Sequence, residues 1–224
     1  MTYTQDELKQ HVAKAAVDFI GNELHPDSIL GIGTGSTVDL FIDLLAAHKS
    51  QFKGAVSSSE RTTARLRQHG IEVFELNEVD ALLWYIDGAD EINPQGEMIK
   101  GGGGALTREK IVASVAKNFL CIVDQSKQVP QLGGFPLPVE VLPMARASVT
   151  RALQALGGQV VERADFVTDN GGVILDVHGL TIDQPLQLEQ HINDIAGVVC
   201  CGVFALHKAT AALVATQQGV ITMS

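Results

Sequence analysis

Ser28-Ile29-Leu30-Gly31-Ile32-Gly33-Thr34-Gly35-Ser36-Thr37-Val38 reads as a strand, a tight turn and the start of a helix. A short apolar run without polar alternation is the pattern of a strand buried on both faces. The helix is expected over Val38 to Ala47. The same rhythm extends in both directions. Upstream, Thr4-Gln-Asp-Glu7 forms a capping box. Behind it Leu8, Val12, Ala15, Ala16 and Phe19 recur at helical spacing, which predicts a helix to about residue 20. Downstream, Gly54 to Ser58 reads as a strand, and a helix runs from Ser59 or Glu60 to His69. Two strands follow, at Glu72 to Glu75 and Leu82 to Ile86, then a helix over Ala105 to Lys117 and a strand over Phe119 to Val123. Strands that alternate with helices predict an α/β fold: a Rossmann-like domain with a mainly parallel sheet covered on both faces.

The texture changes near Pro130. Pro130, Pro136 and Pro138 with Gly133-Gly134 mark a boundary. Beyond it come a strand (Val139–Leu142), a helix (Ala145–Leu156), a strand (Gln159–Thr168), a turn at Asp169-Asn-Gly-Gly172, a strand (Val173–His178), a helix (Pro185–Ile195) and a strand (Val198–Ala205). That order is the split β-α-β-β-α-β pattern of a ferredoxin-like unit, and Asn170-Gly171 is a hairpin signal. The expected organisation is a catalytic α/β domain over 1–132 plus 206–224, with a smaller ferredoxin-like α+β domain over 133–205. Short strands at Ala212–Ala215 and Val220–Thr222 are candidates for a return to the first domain.

Composition narrows the function classes. The chain has 224 residues, 46% of them apolar, so a substantial core is available and disorder is not expected. The formal charge is −10 and no Lys/Arg-rich run stands out, which argues against a nucleic-acid partner. The first residues are acidic and lack an apolar core, so no signal peptide is expected, and no apolar run reaches the ~18 residues of a membrane span. Cys121, Cys200 and Cys201 lie in apolar strand-like runs and read as reduced core residues of a cytoplasmic protein. No two histidines lie three to five residues apart, so a His-based metal motif is absent.

Ligands in parallel sheets bind beyond the carboxyl ends of the strands. The informative loops fall there: Gly33–Thr37, Ser57–Ser59, Asp87–Asp90, and the segment carrying Lys127. Gly33-Thr34-Gly35-Ser36-Thr37 offers bare N–H groups and hydroxyls at a helix start, a cradle for an anion. It is neither the dinucleotide fingerprint, since Ser36 stands where a third glycine is needed, nor a P-loop, since no Gly-Lys-Ser/Thr follows. Ser57-Ser-Ser59 reads as well as a helix cap. Asp87 and Asp90 can bind a metal, shuttle protons or hold sugar hydroxyls, while Glu91 and Glu97 read as solvated acids. Lys100 precedes four glycines, Gly101 to Gly104, and Glu109 sits near the first turn of the next helix. Four glycines in a row cost chain entropy on ordering, so the run suggests close backbone approach to something. An anion cradle, a carboxylate, a lysine and free amides together suit proton transfer next to a carbonyl on a small phosphorylated molecule.

The segments Gly33–Thr37, Ser57–Ser59, Asp87-Gly-Ala-Asp90-Glu-Ile, Lys100-Gly-Gly-Gly with Leu106-Thr-Arg-Glu-Lys110, Ser126-Lys127 and Pro136-Leu-Pro-Val-Glu-Val together resemble ribose-5-phosphate isomerase type A. The tail after Ala205 matches none of these motifs. The resemblance implies interconversion of ribose 5-phosphate and ribulose 5-phosphate, a homodimer, no metal and no organic cofactor. It implies that Glu109 is the general base and that Lys100 and the amides of Gly101, Gly102 and Gly103 stabilise an enediolate oxygen. It further implies that Asp87 and Asp90, with Gly88 and Ala89 between them, contact sugar hydroxyls, Asp87 being a candidate for ring opening. Thr34, Gly35, Ser36 and Thr37 would take up the substrate, Ser36 and Thr37 nearest its phosphate, with Lys127 and Lys9 as further contacts. Two rivals remain: a sugar-phosphate sensor without catalysis, and a metal-dependent phosphotransferase built on Asp87 and Asp90. The sequence has no basic helix-turn-helix module and keeps Glu109 and Lys100, which sensing alone does not require.

Overall fold

The structure is a computed structural model that describes residues 2–223. In chain order, α1 (Gln5–Gly21) leads to β1 (Ile29–Ile32), α2 (Ser36–Leu45), β2 (Gly54–Ser57), α3 (Glu60–Gln68) and β3 (Leu82–Asp87). A small hairpin, β4 (Glu91–Ile92) and β5 (Met98–Ile99), precedes α4 (Leu106–Val115) and β6 (Ala116–Asp124). Then come β7 (Leu137–Val141), α5 (Arg146–Ala155), β8 (Gln159–Glu162), β9 (Val173–His178), α6 (Pro185–Asn193), β10 (Val198–Cys201), β11 (Val203–Phe204), β12 (Ala211–Thr216) and β13 (Gly219–Met223).

The chain forms two compact units. The first takes the chain up to Gly88, Ile111–Lys127, and the chain from Ala209 onward. Its sheet runs β13-β12-β6-β3-β1-β2 and is parallel except for the β12–β13 hairpin. The capping box at Thr4 and Glu7 closes the start of α1, whose buried stripe is Leu8, Val12, Ala13, Ala16, Val17 and Ile20. That stripe joins Leu30, Ile32, Phe41, Ile42, Ile86, Leu120 and Leu213 in one core. The C-terminal strands do return to this unit, through the parallel register of β12 against β6.

The second unit takes Ala89–Lys110 and Gln128–Lys208. Its four-stranded antiparallel sheet runs β10-β7-β9-β8, the strand order of a ferredoxin-like fold. Val139, Val141, Val149, Leu153, Leu175, Val177 and Ile192 belong to its core. A separate small sheet, β11-β5-β4, also belongs to this unit. Residues 89–110 pack within this unit because β4 and β5 pair with each other and β5 with β11; the sequence alone grouped them with the first domain.

Three expected strands differ. Glu72–Glu75 makes only a single bridge, Val73 to Ala55, and then turns into one 3-10 turn at Leu76–Glu78, so no ladder propagates. The strand from Gln159 stops at Glu162, since Asp165 takes a left-handed φ of 51° and carries the chain off the sheet. The strand expected over Val198–Ala205 breaks at Gly202. Its N–H bonds Pro138 O while its carbonyl accepts from Lys100 N, so β11 pairs in the other sheet.

Candidate active site

In the first unit, the parallel register puts the ends of β1, β2, β3 and β6 on one rim. Side chains from three of the loops there are tied together. Thr34 N donates to Asp87 Oδ1 at 3.0 Å. The Thr34 hydroxyl lies 3.1 Å from Ser58 Oγ, 2.8 Å from Ser59 Oγ and 3.3 Å from Thr62 Oγ1. Thr62 in turn donates to Gly33 O at 2.8 Å. Gly33 is required: a Cβ there would fall 1.9 Å from the Asp87 carboxyl carbon. Ser59 is a helix cap, accepting from Thr62 N at 3.1 Å.

Asp87 ends β3 and is completely buried. Gly88 N reaches its Oδ1 at 2.7 Å and Tyr85 OH its Oδ2 at 2.5 Å. Tyr85 and Asp87 stand two apart on one strand, so they share a face. Gly35 is the N-cap of α2, with no side-chain cap, so the amides of the first turn near Ser36 and Thr37 are not covered by a capping side chain. Lys127 is half-buried in the turn after β6. Burial would raise the neighbouring Asp124 carboxyl, but hydrogen bonds from Ser126 and Gln5 and the Lys127 charge together hold it below its ordinary value. Lys9 lies on α1 with its ammonium 3.5 Å from Asp6.

In the second unit, the β4–β5 hairpin delivers Asp90 and Lys100 to neighbouring positions, since Asp90 N donates to Ile99 O at 2.9 Å. Gly101 and Gly104 have φ of 105° and 79°, which favours glycine, and Gly104 N closes a turn onto Gly101 O at 2.9 Å. At Gly102 a Cβ would lie 2.6 Å from Asp90 Oδ1, and its N–H donates to Asp90 Oδ2 at 2.8 Å. Only Gly103 of the four has open space where a Cβ would sit. Three of the glycines thus serve the protein's own backbone and packing.

Glu109 stands one turn into α4. Its Oε2 lies 3.2 Å from Lys100 Nζ, and the two side chains are 5% and 3% exposed. Desolvating both charges costs several kcal/mol per ion, a cost that the pair's own attraction does not reliably offset, so such a pair points to chemistry more than to stability. The Lys100 ammonium is also 5.5 Å from the Phe204 ring centroid. The same ring receives Lys110 at 4.6 Å, and Lys110 pairs with the buried Glu189.

The expectation of a solvated Glu91 is corrected. Glu91 is 5% exposed and accepts from Gly133 N at 2.8 Å and Phe135 N at 2.6 Å, so it binds two main-chain donors of a Gly-Gly turn. Glu97 accepts from Asn93 Nδ2 at 2.7 Å. Sequence reasoning missed Glu140, fully buried on β7, which accepts from Thr107, from Thr168 at 2.6 Å and from Asn170 Nδ2 at 3.2 Å, and so fastens the first turn of α4. Its signal was an acid inside the apolar run Val139-Glu140-Val141. All three cysteines are buried, and burial pushes the Cys200 thiol up to about 12.

A family model described as ribose 5-phosphate isomerase A (phosphoriboisomerase A) matches residues 54–219. Ribose-5-phosphate isomerase A of Bordetella bronchiseptica is 59% identical over 97% of this chain and 96% of its own length. The crystal structure of ribose 5 phosphate isomerase A from Neisseria gonorrhoeae has a TM-score of 0.95 at 48% identity, covering 100% of this chain and 98% of that one. A D-ribose-5-phosphate isomerase solved in complex with phospho-erythronic acid has a TM-score of 0.94 at 34% identity, covering 99% of this chain and 100% of its own. These relatives lend nothing to the sensor reading. The chain belongs to the ribose 5-phosphate isomerase A family and is an aldose–ketose isomerase that interconverts ribose 5-phosphate and ribulose 5-phosphate.

Proposed function

We propose that Glu109 is the base of this isomerisation. It takes the C2 proton of the open-chain aldose and returns it to C1, through an enediolate. The observation that carries this reading is the buried Glu109–Lys100 pair at 3.2 Å beside the glycine run. A general base must reach the proton, and its partner must tolerate both protonation states. Lys100 serves as counter-ion to the carboxylate and as donor to the developing oxyanion, together with the amides of Gly101 and Gly103; the Gly102 amide, expected from the sequence to join them, is taken by Asp90. A donor aimed at an oxyanion in a dry site is worth ~3 kcal/mol.

Asp87 and Asp90 hold sugar hydroxyls, with Gly88 and Ala89 as the backbone between them. Thr34, Gly35, Ser36 and Thr37 take the phosphate end, supported by the uncapped first turn of α2 and by its dipole. Lys127 and Lys9 supply positive charge to the same anion. The protein acts as a cytoplasmic homodimer, and no helix among the described residues is long and apolar enough to cross a membrane.

The test is isomerisation of ribose 5-phosphate by purified protein with a chelator present, for the parent and Glu109→Gln. The parent is expected to turn over with chelator. The variant is expected to lose about 10²–10⁴ in kcat, the usual worth of a general base. A variant within about tenfold of the parent removes Glu109 from the role. Activity lost on chelation revives the metal-dependent reading.

A further inference from the structure

Arg163 follows β8 at the point where the chain leaves the sheet. Its guanidinium binds Asp176 on β9 at two points, Nε to Oδ2 at 2.9 Å and Nη2 to Oδ1 at 2.6 Å. The remaining nitrogen, Nη1, donates to Gly101 O at 3.2 Å and Gly102 O at 3.1 Å. The planar fork has fixed donor directions, so once Asp176 takes one edge the other edge is aimed.

Gripping those two carbonyls has a consequence at the amides. In a trans peptide the C=O and the next N–H point to opposite sides, and no cis peptide occurs among the described residues. Holding Gly101 O therefore aims Gly102 N–H away from Arg163, where it meets Asp90 Oδ2 at 2.8 Å. Holding Gly102 O aims Gly103 N–H away from Arg163 in the same manner. Gly103 is exposed, with nothing within 4 Å of where its Cβ would sit. The far end of the run is fixed too: a Cβ on Gly104 would fall 2.1 Å from Phe166, whose ring lies 5.3 Å from the Arg163 guanidinium carbon. Asp165, between them, is the non-glycine residue with positive φ among the described residues. The loop after β8 thus gives up strand geometry and grips a glycine run whose backbone freedom is costly to fix.

We propose that Arg163, locked by Asp176, is a positioning residue: by holding Gly102 O it pre-aims the amide of Gly103 toward the enediolate oxygen, while the Gly102 amide is turned onto Asp90. The inference rests on the reading that the Gly103 amide stabilises that oxygen. Donors already aimed need no reorganisation when charge develops, so their alignment acts on the transition state more than on the bound sugar.

The test compares Arg163→Lys and Asp176→Asn with the parent, and includes Glu109→Gln as a control on the underlying reading. Lysine keeps the charge but cannot span two carbonyls and a carboxylate. Arg163→Lys is expected to lower kcat about ten- to hundredfold, less than outright loss of an oxyanion donor, with KM within about threefold. Asp176→Asn should lower the same parameter by less. A planar hydroxamate that mimics the enediolate should lose affinity in step with kcat/KM, while inorganic phosphate, used as a competitive inhibitor, keeps its affinity. A purely structural role would weaken both inhibitors alike and overturn the proposal. So would kcat of Arg163→Lys within about twofold of the parent. If Arg163→Lys does not fold, the inhibitor ratio in Asp176→Asn decides alone. A Glu109→Gln enzyme with full activity would instead sink the base assignment and leave the Arg163 result to be read separately.

Discussion

Asp87 and Glu109 are both buried carboxylates, at 0% and 4% exposure, but their neighbours differ in kind. Asp87, in the first unit, is bound by the main-chain N–H groups of Thr34 and Gly88 and by the Tyr85 hydroxyl. Glu109, in the second, lies on a helix against the Lys100 ammonium. Main-chain donors are carried by the backbone itself, so they fix where an acceptor stands. A lysine on a flexible stem can follow a charge that shifts during a reaction. One arrangement is suited to holding a ligand group in place, and the other to passing a proton.

The contrast is broken most directly at Lys100. Lys100→Met removes an oxyanion donor and the counter-ion of the base, and kcat should fall by about 10²–10³. It also leaves Glu109 buried without this partner, which for such pairs costs about 3–5 kcal/mol. Steady-state kinetics and urea unfolding should therefore both respond. A large loss of stability with unchanged kcat would make the pair a structural feature, and the difference between the two carboxylates would vanish.

Tyr85→Phe probes the other side. It deletes one donor to Asp87 without opening a cavity, and the cost of an unmet bond to a buried carboxylate is about 1–3 kcal/mol. Stability should fall by that order in urea unfolding, while kcat stays within about tenfold of the parent, because the main-chain donors still hold Asp87. A kcat loss as large as that of Lys100→Met would show that Asp87 takes part in the proton chemistry itself.

How far these sites were legible in the sequence follows the same division. The strand-turn-helix at Ser28–Val38 was readable because its pattern is local, and so was the order of the ferredoxin-like elements. The role of the glycine run was only half readable. Positive φ at Gly101 and Gly104 fits a glycine requirement, but that Gly102 yields to Asp90 and Gly104 to Phe166 depends on residues brought from afar. Arg163 sat in what reads as a continuous strand from Gln159 to Thr168, and nothing local signals that the chain turns out at Asp165. Glu91 looked like a surface acid because its partners, Gly133 N and Phe135 N, lie some forty residues away. Pro138 marked a boundary by composition, yet it lies inside β7 and accepts from Gly202 N.

The smallest effect belongs to Asp124, a third carboxylate with a main-chain donor, at the end of β6. Burial opposes its ionisation, but the Ser126 and Gln5 hydrogen bonds and the Lys127 charge outweigh it, and the carboxyl is held below its ordinary value. Its folded-state pKa is therefore lower than its unfolded one. The stabilisation is fully present above the unfolded carboxyl pKa, near 4, and is lost as pH falls through the folded value. Asp124→Asn should accordingly be less stable than the parent at pH 7, and the gap should close as the pH drops below about 4. Urea unfolding of both proteins between neutral and acid pH measures it. A gap that persists unchanged at low pH would mean that the shape of the side chain matters at this rim and its charge does not. Fixed main-chain donors would then act by geometry alone, which would sharpen the contrast with the charge-paired Glu109.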